Sequence, residues 1–469
     1  MTQTELCYTP ATALAAMIRA RQVSPVEVTR AVLARIEQVN PKLNAFCTVT
    51  AESALAEARA AEAAVMAGGR LGPLHGVPYS IKDLALTKGV RSMGGSFIFE
   101  HRVPDQEAPF VRRLREAGGV FLGKTTSPEF GWKALSDSPL TGITRNPWNP
   151  AMTAGGSSSG AAVAAASGLG PVAHGSDGAG SIRIPAGFCG VFGHKPSYGR
   201  VPQWPVSNND YQTHNGPLTR TVEDAALMLS VIAGPDDCDR TCLGDAPADY
   251  VGQLRAGIKG LRVLYSPTMG GLRVDPDVAA VVRAAAQAFE GLGATVEEAE
   301  PRWPDTQDVI RITWAGHEAG IYGPYLPKWR DKMDPGLVAC IEDGFKVSVV
   351  DYIQARGKKN DFWDAVHATF QTYDLMLTPT ISVGAFPVPR LNPEGWPQHA
   401  WDWFPWAGFS YPFNFTGQPA ATVPAGFTPA GLPVGLQIVG RRLDDLTVLQ
   451  AAAAFEAARP WAGKRPPVD

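Results

Sequence analysis

The chain has 469 residues, of which 19% are charged and 45% hydrophobic, and a formal net charge of −3. That balance is too apolar for a disordered chain and too neutral for a general polyanion binder, which argues against a nucleic-acid partner. Glycine (49) and proline (40) make up about 19% of the residues against a usual share of about 12%, with no Gly-X-Y period, so the excess is assigned to ordered loops.

The opening segment MTQTELCYTPATALAAMIRARQ lacks a basic stretch leading into an apolar run and cleavage site. No window of 18 apolar residues follows, so a cytoplasmic protein without a membrane contact is expected. Residues 1–70 read as helical. Ser24-Pro25-Val26-Glu27 is a capping box with proline at the first helical position, and Val28, Ala31, Val32 and Ile36 keep helical spacing. Ala51–Met66 continues as an Ala-rich helix stopped by Gly68-Gly69. From Leu74 short apolar runs (Val77–Ile81, Val120–Leu122, Val172–Ala173) alternate with helical stretches such as Ala108–Ala117, the pattern of an α/β core. A second α/β stretch begins at Leu261, with a helix over Pro276–Leu292. Strand-like runs DLMLTPT, AATVPAG and VGLQIVG then precede a helix over Leu446–Ala458. No repeat or low-complexity linker divides the chain, so one domain over 1–469 is expected. The six cysteines (Cys7, Cys47, Cys189, Cys238, Cys242, Cys340) form no CxxC pair and no Cys/His cluster, and are read as buried or incidental thiols rather than disulfide or metal positions.

Two loops stand out, Ala154-Gly-Gly-Ser-Ser-Ser-Gly160 and Gly175-Ser-Asp-Gly-Ala-Gly-Ser-Ile-Arg-Ile-Pro185. They are embedded in apolar helix and strand, so their glycines are read as allowing positive φ or close backbone approach to a ligand, not as a linker. Neither is a phosphate loop. They present serine hydroxyls and bare N–H groups, which suits an anion or an oxyanion. A serine nucleophile needs a base. His75, His174, His194 and His214 are the nearby imidazoles, yet none accompanies a G-x-S-x-G elbow, and Lys82 at the end of the apolar run Val77–Ile81 is the other option.

The runs GVPYSIKD, GKTTSPEFG, RNPWNPAMTAGGSSSGAAVAAASGLGPVAHGSDGAGSIRIPAGFCGVFGHKPSYGRVP and NFTGQPAATVPAGFTPAGLPVGLQIVG resemble the amidase signature family over about residues 6–456. The resemblance implies an α/β fold with a central mixed, twisted sheet covered by helices on both faces. It divides the chain into a helical N-terminal region over 1–70, a catalytic core over 71–235, a variable substrate-side segment over 244–374 and a C-terminal return over 375–460. It further implies Ser181 as nucleophile, Ser157 following a cis peptide as proton bridge, Lys82 as base, and an acyl-enzyme without cofactor or metal. The backbone N–H groups of Gly178, Ala179, Gly180 and Ser181 would form the oxyanion hole. Alanine at 179 replaces the more common glycine, so a narrower pocket is expected there. To act as base, Lys82 must be neutral, which requires a pKa lowered to about 7–8 by burial. Asp177 and Arg183 are expected to tether the loop as an ion pair, and His174 and Lys195 to be structural. For Ser158 and Ser159, helix capping and support of the nucleophile stand as alternatives.

Substrate choice is expected in the variable segment and in the aromatic loop Trp396–Phe415. Half of these aromatics are assigned to the core and the rest to a cleft, with Trp403, Trp406, Ala407 and Phe409 as candidate lining. In glutaminase members of the family an acidic residue stands at the Ala407 position, so an uncharged aryl or alkyl amide, anilide or carbamate is the expected substrate. The alternatives are a glutaminase subunit of a tRNA-dependent amidotransferase and a non-catalytic binding homologue. A monomer or homodimer is expected.

Overall fold

The computed structural model describes residues 1–207, 209 and 211–468. The first long helix, Pro25–Leu43, begins where the capping box predicts. Ser24 Oγ accepts from Val26 N, and Ser24 N donates to Glu27 Oε2 at 3.0 Å. It ends at Asn44 in the left-handed conformation (φ 54°), and the Asn40 carboxamide oxygen accepts from Ala45 N and Phe46 N. This turn starts a strand inside the region expected to be helical.

The strands in chain order are β1 (Phe46–Val49), β2 (Pro78–Lys82), β3 (Val120–Thr125), β4 (Asp137–Ser138), β5 (Gly142–Ile143), β6 (Val172–Asp177), β7 (Phe192–Lys195), β8 (His214–Thr219), β9 (Arg262–Tyr265), β10 (Thr295–Glu298), β11 (Leu375–Pro379), β12 (Ala420–Phe427) and β13 (Pro433–Gly440). β4 and β5 form a separate two-stranded piece. The other eleven build one mixed sheet in the order β1-β3-β2-β6-β8-β7-β12-β13-β11-β9-β10. β2 runs parallel to both β3 and β6, while β8, β7, β12 and β13 are joined by antiparallel pairings. The chain is thus a single α/β domain with a large mixed sheet flanked by helices, and its first and last segments share that sheet.

Alternate side chains enter different cores, as the two-residue period of a strand requires. Phe121 and Val172 join one cluster with helices Val222–Ile232, Pro276–Gly291 and Asp445–Ala458. Leu122 and Ala173 join another on the opposite face, with Pro25–Leu43 and the alanine-rich Ser159–Ser167. The segment 244–374 adds β9 and β10 to the sheet edge and then supplies the helices Gln307–Tyr322, Leu326–Trp329, Pro335–Gly344 and Val349–Thr372. No described helix is long and apolar enough to cross a membrane.

Gly123 lies in β3 at φ 141°, and a Cβ there would stand 2.1 Å from the Thr48 carbonyl oxygen of β1. Gly123→Ala is therefore expected to destabilise the protein by about 1–3 kcal/mol and to loosen β1. Urea denaturation measures the loss, and hydrogen exchange at Thr48 and Val49 locates it.

Candidate active site

Parallel pairing of β2 and β6 sets Ile81 against His174, so the ends of both strands open on the same edge of the sheet. Lys82 is the last residue of β2 and fully buried. Its Nζ lies 2.7 Å from Ser157 Oγ, 3.0 Å from Ser176 Oγ and 3.3 Å from the Ser176 carbonyl oxygen. Burial pulls the amine down to about 7, against the opposing pull of Asp177. Near neutral pH it therefore exists partly as a free amine.

Ser157 stands in the loop before helix Ser159–Ser167, and the Gly156–Ser157 peptide is cis. Ser158 does not cap that helix. Its hydroxyl accepts from Ser176 N (3.2 Å) and donates to Ser176 O (3.1 Å), while its N–H donates to the Ser181 carbonyl at 3.1 Å. Ser158 thus ties the Ser157 loop to the Ser181 loop. Ser159 Oγ has no hydrogen-bond partner among the described residues. Ser176 is not singled out by the sequence, although it lies in the glycine-rich stretch. No composition signal separates it from its neighbours, and only the parallel register puts it beside Lys82.

Ser181, Ser157, Ser176 and Gly178 line one cavity of about 260 Å³. Among the described residues no hydrogen bond joins the Ser181 and Ser157 hydroxyls; such bonds commonly close only when substrate is bound. The loop between Gly178 and Ser181 departs from the expected four-donor hole. Gly180 N donates to Asp177 Oδ1 at 2.6 Å, which turns that N–H toward the carboxylate. The left-handed backbone also falls on Gly180 (φ 118°), where a Cβ would meet Ser410 Oγ at 2.5 Å. Ala179 is fully buried, its side chain packs in the apolar cluster that includes Trp314 and is not part of the cavity lining, and its carbonyl accepts from Ser410 Oγ.

Asp177 organises this loop. Both carboxylate oxygens take the Arg183 guanidinium at 3.0 Å, and they also accept from Gly180 N, Ile182 N and Asn414 Nδ2. Burial alone would raise its pKa, but the charge and hydrogen bonds of Arg183 together with Lys195 and Asn414 outweigh it and hold the carboxyl well below the usual range. Arg183 continues to Ser410 O, Gln437 Oε1 and Asn414 Oδ1. The C-terminal motif thus braces the loop. His174 stacks on Phe110, with Nε2 3.1 Å from Asn215 Oδ1, and burial pushes it down to about 3, so it stays neutral. Lys195 donates to the Gln418 and Pro196 carbonyls and does not line the cavity.

The candidate lining Trp403, Trp406, Ala407 and Phe409 lies elsewhere, buried and outside the cavity wall. Trp403 Nε1 donates to Trp132 O, Trp406 Nε1 to Leu391 O, and the Phe409 carbonyl accepts from Gln437 Nε2. The Trp403 and Phe404 rings stand edge-on to Trp314 of helix Gln307–Tyr322, while the Trp406 ring packs on Phe188 and Phe386. The cavity's aromatic wall is instead Phe99, Phe110, Phe130, Trp204, Trp314 and Tyr322. Spread over five segments, these rings leave no local sequence signal.

The Amidase family model matches residues 27–449. An acylamidase from Rhodococcus erythropolis is 41% identical over 99% of this chain and 98% of its own. A glutamyl-tRNA(Gln) amidotransferase chain from Moorella thermoacetica is 36% identical, over 98% of this chain and 99% of its own. The crystal structure of a bacterial aryl acylamidase of the amidase signature enzymes superimposes with a TM-score of 0.90 at 31% identity, covering 97% of this chain and 99% of that one. The chain belongs to the amidase signature family. It is an amide hydrolase.

Arg183→Met leaves the Asp177 carboxylate buried without its counter-ion. A stability loss of about 3–5 kcal/mol is expected in chemical denaturation, as for other broken buried pairs.

Proposed function

We propose that the protein hydrolyses small uncharged amides, anilides or carbamates through an acyl-enzyme on Ser181. The observation that carries this is Lys82, a buried amine lowered to about 7, that meets hydroxyls and a carbonyl and, among the described residues, no carboxylate. Neutral Lys82 takes the Ser157 proton, Ser157 takes that of Ser181, and Ser181 Oγ bonds to the substrate carbonyl carbon. The negative charge that develops on the carbonyl oxygen falls to the N–H groups of Gly178, Ala179 and Ser181, since Gly180 serves Asp177; each donor of this kind is worth about 3 kcal/mol. When the C–N bond breaks, the relay runs backward and Lys82 returns the proton through Ser157 to the leaving nitrogen. Water then attacks the ester on the same path, giving the acid and free Ser181. A carbamate offers the same carbonyl oxygen to the same loop.

The aromatic wall supports an aryl or alkyl group as the favoured occupant, and the names of the Rhodococcus and aryl acylamidase relatives agree with it. The Moorella relative keeps the glutaminase alternative in view. Ala407, being buried outside the cavity, does not bear on it, and the absence of an ionised carboxylate has to be judged from the cavity itself.

Ser181→Ala should abolish turnover of an acylanilide with the fold intact, and mass spectrometry of the unmodified enzyme with a slow carbamate should find the acyl group on Ser181. Because protonated Lys82 cannot accept a proton, kcat/KM should rise with pH through about 7 and fall about tenfold per unit well below it; a rate flat down to pH 5 would exclude Lys82 as base. An acylanilide should exceed glutamine in kcat/KM by about a hundredfold or more, since a zwitterion must be desolvated in an aromatic cavity. A preference for glutamine would reverse the assignment.

A further inference from the structure

Helix Gln307–Tyr322 presents Trp314, Glu318 and Tyr322 to the cavity, four residues apart and hence on one face. The Trp314 ring comes within 3.9 Å of where a Cβ on Gly178 would stand. Tyr322 stacks on Phe130 with ring centres 4.0 Å apart, and a Cβ on the next residue, Gly131, would stand 3.0 Å from Ser157 Oγ. The stripe therefore runs from the nucleophile loop to the Ser157 loop. Glu318 is at its middle, about 6 Å along the helix axis from either end.

Glu318 is the only acidic side chain on the wall of the cavity among the described residues. It is 7% exposed, and its Oε2 is buried without a hydrogen-bond partner among them. A carboxyl with a purely structural task would be satisfied within the protein, as its neighbour Glu129 is: that group accepts from Ser96 Oγ and Asp334 N, both at 2.6 Å. Burial, reinforced by Glu129, pushes Glu318 up to about 8, so at neutral pH it is mainly the uncharged acid, able both to donate and to accept.

We propose that Glu318 contacts the substrate, its carboxyl hydrogen-bonding a neutral polar substituent so that the site prefers an amide carrying a ring hydroxyl or carbonyl to its unsubstituted analogue. This rests on the cavity being the amide-binding site. Binding is therefore measured by calorimetry in the Ser181→Ala background, where a failure of the proposed chemistry does not enter. Three ligands are compared: acetanilide, 4-hydroxyacetanilide and cationic 4-(aminomethyl)acetanilide. The hydroxylated ligand should bind about tenfold tighter than acetanilide, the yield of one good hydrogen bond. Glu318→Gln should keep most of that difference and Glu318→Leu should erase it; Glu318→Met serves if the leucine variant does not fold. In the enzyme with Ser181 intact the same difference should appear in KM rather than kcat. Equal affinity for the two neutral ligands, binding of neither, a difference that survives removal of the carboxyl, or a preference for the cationic ligand would each overturn the proposal.

Discussion

A lysine buried without a counter-ion is the constraint around which this molecule is arranged. Lowering an amine from near 10.4 to about 7 corresponds to about 5 kcal/mol of discrimination against its charged form, supplied by desolvation. The same chain shows the opposite outcome at Lys133, also buried, which lies 2.7 Å from both Asp137 and Asp334 and whose pKa those partners hold above the usual value despite burial. What a buried lysine faces, hydroxyls or carboxylates, decides whether it keeps its proton. Lys82 faces Ser157 and Ser176 because it ends β2 beside the end of β6, and that adjacency comes from the parallel crossover.

Asp177, the residue after Ser176, has to be charged without neutralising this effect. Its carboxylate is consumed by Arg183 and by the N–H groups of Gly180 and Ile182, so it shapes the Ser181 loop instead of pairing with Lys82. Arg183 is in turn held by Ser410, Asn414 and Gln437. Residues more than 220 positions later thus stabilise the turn that carries the nucleophile candidate, which gives a physical reason for the chain to return to the middle of its own sheet.

Much of this is legible in the residues. The capping box at Ser24, the apolar run into Lys82, the glycine-serine loops and the Asp177–Arg183 tether all depend on local spacing. What escapes depends on distant partners. β1 is a four-residue strand (FCTV) made stable by pairing with β3, and β8 (HNGPLT) contains a proline and a glycine yet is held on both sides by β6 and β7. The aromatic loop Trp396–Phe415 misleads because aromatic density marks burial but not which surface is buried against what. The cavity's own rings come from separate segments, so only the folded chain collects them. The inward turn of the Gly180 N–H is equally invisible in sequence, because every residue except proline carries the same donor.

The most direct test of the account is the titration of Lys82 itself. In protein carrying lysine labelled at Cε, assigned by comparison with Lys82→Arg, the Lys82 signal should move through a transition near pH 7. A Lys82 signal still that of an ammonium at pH 9.5 would contradict the account, because a group that keeps its proton there could not serve as the base proposed for Ser157 and Ser181.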